Sequence, residues 1–186
     1  MTLVVLVGPA GVGKGSVVKK ILEVSREYRL SVSATTRDKR PQEVDGVDYH
    51  FVSKEDFKGL ISSDELLEWA QVHGRHYYGT PASELVAAKE SGKHLILEID
   101  LQGARQVAEK PIDQLQIFLL PPSWEELERR LRGRGTETED EIATRLGTAR
   151  QELAAANEFE HQLVNETIAD TASAILDLVS EHERES

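Results

Sequence analysis

An apolar run, Leu3 to Val7, leads directly into Gly8-Pro9-Ala10-Gly11-Val12-Gly13-Lys14-Gly15-Ser16. No other stretch of the chain limits the fold as strongly. A short apolar run before a glycine-rich turn reads as a buried strand, and the turn must open a helix. Glycines let the backbone curl so that successive N–H groups converge on phosphate oxygens. The helix adds the positive end of its dipole. Lys14 supplies a mobile charge for the β- and γ-phosphates of a nucleotide. The residue after this lysine is usually Ser or Thr, which reaches Mg²⁺. Here it is Gly15, and the hydroxyl comes one place later at Ser16.

Beyond the loop, strand and helix signals alternate. Thr2 to Val7 reads as a strand and Ser16 to Tyr28 as a helix, with Val17, Ile21 and Leu22 on its buried face. Leu30 to Ala34 reads as a short strand and Asp48 to Val52 alternates apolar and polar residues. Ser53 is expected to cap a helix running to about Ile61. Extended segments follow at Leu66 to Val72 and His76 to Tyr78, then a helix at Ser83 to Glu90 and a strand at His94 to Ile99. No element is assigned before the next strand, Gln116 to Leu120. Ser123 opens a helix with Glu126 as its capping-box partner. Gly133-Arg134-Gly135 breaks that helix. Thr138, with Glu141, opens another that runs to about Phe159. His161 to Val164 is a last strand and Asp170 to Glu183 a terminal helix.

This order implies an α/β fold, a parallel sheet of P-loop NTPase type with helices on both faces. Ser31 to Ala82 interrupts the alternation with a turn-rich, β-rich stretch, read as an inserted lobe. A net charge of −11 argues against sequence-independent nucleic-acid binding. The absence of cysteine excludes disulfides and thiolate metal sites. No apolar run approaches the roughly 20 residues of a membrane span. With a strand starting so close to Met1, no leader is expected, and the expected setting is cytoplasmic.

Several clusters outside the loop carry charge suited to phosphate chemistry. Glu98 and Asp100 stand at the end of a predicted parallel strand, where ligand crevices form. Their spacing of two places both carboxylates on one strand face, and either could hold Mg²⁺. Thr36-Arg37-Asp38-Lys39-Arg40 concentrates cations at the entrance of the inserted lobe, and arginine suits bidentate phosphate contacts. Tyr49 and Tyr78 could add phenolic donors. Glu125, Glu126 and Glu128 precede Arg129, Arg130 and Arg132 by four residues, a favourable helical pairing. Arg134 lies between glycines on a segment that could swing, and Arg145 and Arg150 follow on the next helix. Arginines on such a lid can close over a transferring phosphoryl group. His73 and His76 flank a glycine turn and read as surface histidines. Asp100-Leu101-Gln102-Gly103 has the D-x-x-G form of regulatory GTPases, but no N-K-x-D motif accompanies it.

Taken together, these segments resemble the guanylate kinases over essentially the whole chain. The likeness is carried by Gly8 to Ser16, Ser31-Val32-Ser33-Ala34-Thr35-Thr36-Arg37, Gly46 to Val52, Leu67-Glu68-Trp69-Ala70, Tyr77-Tyr78-Gly79-Thr80, Glu98 to Gly103 and Gly133 to Glu137. The resemblance implies phosphoryl transfer from ATP to GMP, with Mg²⁺, and also on dGMP. It implies a core of about residues 1–30, 83–125 and 151–186, a GMP-binding lobe of about 31–82 and a lid of about 126–150. By the same resemblance Ser33, Glu68, Thr80 and Asp100 line a guanine pocket, while Arg37, Arg40, Tyr49 and Tyr78 hold the GMP phosphate. The loop Gly8, Pro9, Ala10, Gly11, Val12, Gly13, Lys14, Gly15 and Ser16 binds ATP, and Asn165 contacts its adenosine part. Lys14, Arg37, Arg130, Arg134 and Arg145 act on the transferring group. Ser16 and Glu98 are the metal ligands the sequence offers. Guanine presents N1–H and its 2-amino group side by side, so one carboxylate at Glu68 can accept from both, which adenine cannot offer.

Two other readings share parts of this pattern. A non-catalytic guanylate-kinase-like interaction module has the same fold but typically loses loop residues, and Gly13 and Lys14 are intact here. A P-loop ribose-bisphosphate kinase shares the loop and lid but has no need of Glu68 in its Leu-Glu-Trp-Ala setting.

Overall fold

The structure, a computed structural model, describes residues 1–72, 74–133 and 138–185. His73 and Arg134, both singled out above, lie outside the described residues. A five-stranded, all-parallel sheet has the order β2-β7-β1-β8-β9, from β1 (Leu3–Val7), β2 (Tyr28–Leu30), β7 (His94–Glu98), β8 (Gln114–Leu120) and β9 (His161–Val164). The central strand β1 is buried throughout, and its side chains alternate between two cores. Val4 and Leu6 pack with Val17, Ile21 and Ile175 on one face. Leu3, Val5 and Val7 pack with Leu95, Leu97 and Phe118 on the other. Helices α1 (Lys14–Val24) and α7 (Ile168–Glu185) contribute to the first core, and α3 (Ser83–Ser91) and α4 (Leu101–Ala108) to the second. Burial on both faces is why these strands read as continuous apolar runs.

A second, four-stranded sheet has the order β4-β3-β6-β5, formed by β3 (Ala34–Thr35), β4 (His50–Phe51), β5 (Leu66–Val72) and β6 (His76–Pro81). Its own small core is Ala34, Phe57 and Leu66, closed by α2 (Lys54–Ser62). Ser53 caps α2 as expected, accepting from the Asp56 amide. Helices α5 (Trp124–Arg132) and α6 (Glu139–Ala154) complete the chain, followed by a short 3₁₀ turn at Ala156–Glu158.

The structure corrects several local expectations. Leu30 to Ala34 is not one strand: Leu30 ends β2 in the main sheet and Ala34 opens β3 in the second. The helix opened by Thr138 stops at Ala154 rather than near Phe159. Helix α1 stops at Val24 rather than Tyr28, because Tyr28 pairs with His94 on β7 and stacks on its ring at 4.8 Å. Pairing in the sheet there overrides local helix propensity. Within α1 the third buried residue is Val18, whereas Leu22 is 36% exposed. The unassigned stretch after Ile99 contains α4, capped by Asp100, whose side chain accepts from the Gly103 amide. At the start of α5, Ser123 accepts from the Glu126 amide, but the Glu126 carboxylate turns to Arg129 and Arg130 instead of closing a capping box. The box at Thr138 and Glu141 forms in full.

Candidate active site

The loop after β1 is held by contacts far away in sequence. Gly13 caps α1 with φ 103°, a left-handed conformation that side chains rarely adopt. A Cβ there would also lie 2.7 Å from Nδ2 of Asn165. That nitrogen donates to the Val12 carbonyl at 2.8 Å, and Thr171 donates to Asn165 Oδ1 at 2.9 Å. Arg130 reaches the same carbonyl at 3.2 Å and also donates to Glu126 at 2.8 Å. Glu126 therefore serves both Arg129 and Arg130, which hold its carboxyl down to about 2. Asn165 is 2% exposed, so its amide is committed to shaping the loop as well as facing the space beyond it.

Two cavities meet at this loop. The first, about 740 Å³, is lined by Pro9, Ala10, Gly11, Gly13, Lys14, Gly15 and Ser16, with Glu98, Arg130, Asn165 and Ile168 among its walls. The second, about 420 Å³, is lined by Ser33, Tyr49, Glu68, Ala70, Tyr78 and Asp100 among others. Ala10, Lys14 and Glu98 belong to both. A cation and a carboxylate thus stand at the junction of two polar chambers.

Lys14 donates to the Gly8 carbonyl at 2.5 Å. Burial lowers its pKa, and Glu98, Glu152 and Asp100 oppose that shift. Burial raises Glu98, with Lys14 opposing. Glu152, on α6, is a residue the sequence reading missed. It lines the second cavity, its Oε2 is buried without a hydrogen-bond partner, and burial raises its pKa against the pull of Lys14. Its only sequence signal is a carboxylate close to the buried side of an otherwise amphipathic helix.

Gly15 lies beside Glu98. A Cβ at this position would approach the Glu98 carboxylate at 3.4 Å. The Glu98 side chain therefore occupies the neighbourhood into which a side chain at position 15 would project. Asp100 differs from its expected placement. β7 ends at Glu98, and Asp100 sits at the helix cap rather than on the strand face. Both carboxylates still reach the second cavity.

Inside that cavity Glu68 is 5% exposed and accepts from Thr80 Oγ1 at 2.7 Å. The Thr80 proton is then committed, so Ser33 Oγ, 3.4 Å away, is left as the donor of that contact. Burial pushes Glu68 up to about 7, Thr80 opposes the shift, and the Asp100 charge adds to it. Tyr49 and Tyr78 stand edge to face with centroids 6.0 Å apart. Neither Arg37 nor Arg40 lines the cavity wall. Arg37 is paired with Glu43 at 2.7 Å, lies over the Tyr49 ring and stands near Tyr78, while Arg40 is largely exposed and 3.9 Å from Glu43. Glu43 is a second residue that sequence reading missed, standing where an anion would compete with it for Arg37. Arg145 is half-buried on α6 and does not line either cavity. Arg150 stacks over Trp124 at 4.7 Å, a packing role.

The family model described as guanylate kinase matches residues 1–182. The chain belongs to the guanylate kinase family. It is 54% identical over 177 residues to the guanylate kinase of Leifsonia xyli subsp. xyli, covering 95% of this chain and 70% of that one. It is 52% identical over 173 residues to that of Thermosynechococcus vestitus, covering 93% and 90%. Its fold matches the crystal structure of guanylate kinase from Anaplasma phagocytophilum with a TM-score of 0.77 and 34% identity, covering 97% of this chain and 85% of that one. Among the described residues, this guanylate kinase family member has no helix long and apolar enough to cross a membrane.

Proposed function

We propose that the protein transfers the γ-phosphoryl group of ATP to GMP, giving ADP and GDP, and accepts dGMP as well. The observation that carries this reading is the pair of cavities joined at Lys14 and Glu98. The loop chamber offers convergent amides and a lysine to a triphosphate. The second chamber offers a buried carboxylate, hydroxyls and phenols to a purine monophosphate. The acceptor is a phosphate oxygen that is anionic at neutral pH, so catalysis needs alignment and charge neutralisation rather than a strong base.

In this reading Lys14 and the loop amides hold the donor phosphates. Ser33, Glu68, Thr80 and Asp100 hold guanine, with the ionised Glu68 accepting from N1–H and the 2-amino group. Arg37, Arg40, Tyr49 and Tyr78 receive the GMP phosphate, which requires Arg37 to exchange Glu43 for the ligand. Arg130, Arg134 and Arg145 act from the lid side. The functional units follow as a core (about 1–30, 83–125 and 151–186), a GMP lobe (about 31–82) and a lid (about 126–150). Closure of lobe and lid would exclude the water that otherwise consumes ATP.

The residues present fit a hard cation such as Mg²⁺. Ser16 and Glu98 face the loop chamber with hydroxyl and carboxylate oxygens, the donor chemistry Mg²⁺ selects. Among the described residues no group of three acidic or histidine side chains forms a dedicated metal cage. This suits an ion carried largely by nucleotide phosphates. Mg²⁺ would neutralise charge on the donor phosphates when bound. Both substrates are small and anionic, in keeping with a cytoplasmic metabolic enzyme that does not engage nucleic acid.

An ADP-release assay with GMP, AMP, UMP and CMP tests the reading. Turnover confined to GMP is expected. Binding of GMP without turnover would instead favour an interaction module, and equal turnover with AMP would overturn the base assignment.

A further inference from the structure

β5 is an edge strand of the second sheet, so the Trp69 N–H and C=O point away from β6 and have no strand to meet. Both are taken by one side chain. The Trp69 amide donates to Gln106 Oε1 at 3.1 Å, and Gln106 Nε2 donates to the Trp69 carbonyl at 2.7 Å. Gln106 lies on α4, one helical turn beyond Gln102, whose carbonyl also accepts from Nε2 at 3.3 Å. The side-chain amide thus stands in for a neighbouring strand and ties β5 to a helix of the main sheet.

This tie sits beside the most selective group of the second cavity. Glu68 precedes Trp69, and its carboxylate lies against α4 so closely that a Cβ at Gly103 would fall 2.5 Å from Oε2. The backbone of α4 is the back wall of the carboxylate. The separation of β5 from α4 therefore bears on how far Glu68 projects into the cavity, and Gln106 makes both of its Trp69 hydrogen bonds across that gap. Asp100, at the start of the same helix, lines the same cavity.

We infer that Gln106 is a specificity-determining positioning residue: by clamping the Trp69 backbone to α4 it fixes the reach of Glu68 toward the 2-amino edge of the purine. This rests on the guanine pocket proposed above. The discriminating probe is inosine monophosphate, which is GMP without the 2-amino group. In Gln106→Leu, which keeps the volume and loses both hydrogen bonds, the ratio of kcat/KM for GMP over IMP should fall about tenfold, while KM for ATP stays within about twofold. Gln106→Glu keeps an acceptor for the Trp69 amide but sets a carboxylate oxygen against the Trp69 and Gln102 carbonyls, so its ratio should fall as well. That variant also decides the matter if Gln106→Leu fails to fold. A destabilised but equally discriminating Gln106→Leu or Gln106→Glu enzyme would overturn the inference and leave Gln106 a packing residue. Glu68→Gln is the control. If it leaves the GMP-over-IMP ratio unchanged, the guanine pocket itself is wrong. If it abolishes the ratio while both Gln106 variants preserve it, only the role of Gln106 fails.

Discussion

The two chambers that meet at Lys14 are built by opposite strategies. The loop chamber uses backbone from one contiguous segment, Gly8 to Ser16, stiffened by Asn165 and Arg130 on the Val12 carbonyl. Its amide donors are fixed dipoles that cannot be titrated, with Lys14 the charged donor among them. The second chamber uses side chains from β3's approach, β4's approach, β5, β6 and the α4 cap, and its central group is a buried carboxylate poised near neutrality. A backbone cradle recognises any polyphosphate. A side-chain pocket of the kind proposed here suits one base and can be tuned by pH. The difference teaches that chemical generality is written locally and selectivity is assembled from distant parts.

Breaking the shared element should have the largest effect. Lys14→Met is expected to lower kcat by about 10³-fold or more, since a charge at the transferring phosphoryl is lost in a water-excluded site. GMP binding measured by calorimetry should survive, because Lys14 is not among the groups proposed to read the base. Loss of GMP binding would show that the two chambers are not separable.

Next in size is the selective group. Glu68→Ala should reduce kcat/KM for GMP by about 10²- to 10⁴-fold, leaving KM for ATP nearly unaltered. Parallel losses for both nucleotides would erase the contrast between the chambers.

The same carboxylate should give the contrast a pH signature. Burial raises Glu68 from its ordinary value to about 7, so between the unfolded value near 4.5 and 7 the native protein keeps a proton that the unfolded chain releases. Its contribution to stability is present at low pH and is lost as pH rises through 7. In the proposed pocket guanine binding needs the ionised form and runs the other way. GMP affinity should weaken on the order of tenfold from pH 7.5 to pH 5.5. Glu68→Gln should flatten that part of the profile. Affinity for ATP, read by backbone amides, should vary less over the same range.

Two glycines of the loop should give stability effects that differ in sign. Gly13→Ala forces a left-handed backbone and a 2.7 Å clash with Asn165, and should cost about 2 kcal/mol or more of stability. Gly15→Ala meets only ordinary contact distances to Glu98 within a helical turn, and should add about 0.5 kcal/mol. Thermal unfolding of the two variants side by side checks this.

What was readable in sequence follows the same division. The central strands, the loop and the parallel sheet with helices on both faces were legible because each is specified by adjacent residues: apolar runs, ordered glycines, and caps at Ser53 and Thr138. The resemblance to guanylate kinases added the list of residues proposed to read GMP. Helix α4 went unread because it is short and contains Gly103, and its cap, Asp100, had been read as a strand-end carboxylate. The end of α1 was misplaced because Tyr28 is drawn into the sheet by β7. Glu43, Glu152 and Gln106 were missed because polar residues on helices and turns look alike until their partners are known.

By itself, then, the sequence determined a phosphate-cradling loop on a parallel α/β sheet, because backbone curvature and strand burial depend on neighbours along the chain. Only the tertiary structure decided that Glu98 stands beside Gly15, that Lys14 stands between two chambers, that Arg37 is held by Glu43, and that Glu68 is desolvated and backed by α4. Those facts depend on burial and on distances between residues far apart in sequence, and burial is set by everything that packs around a group rather than by the group itself.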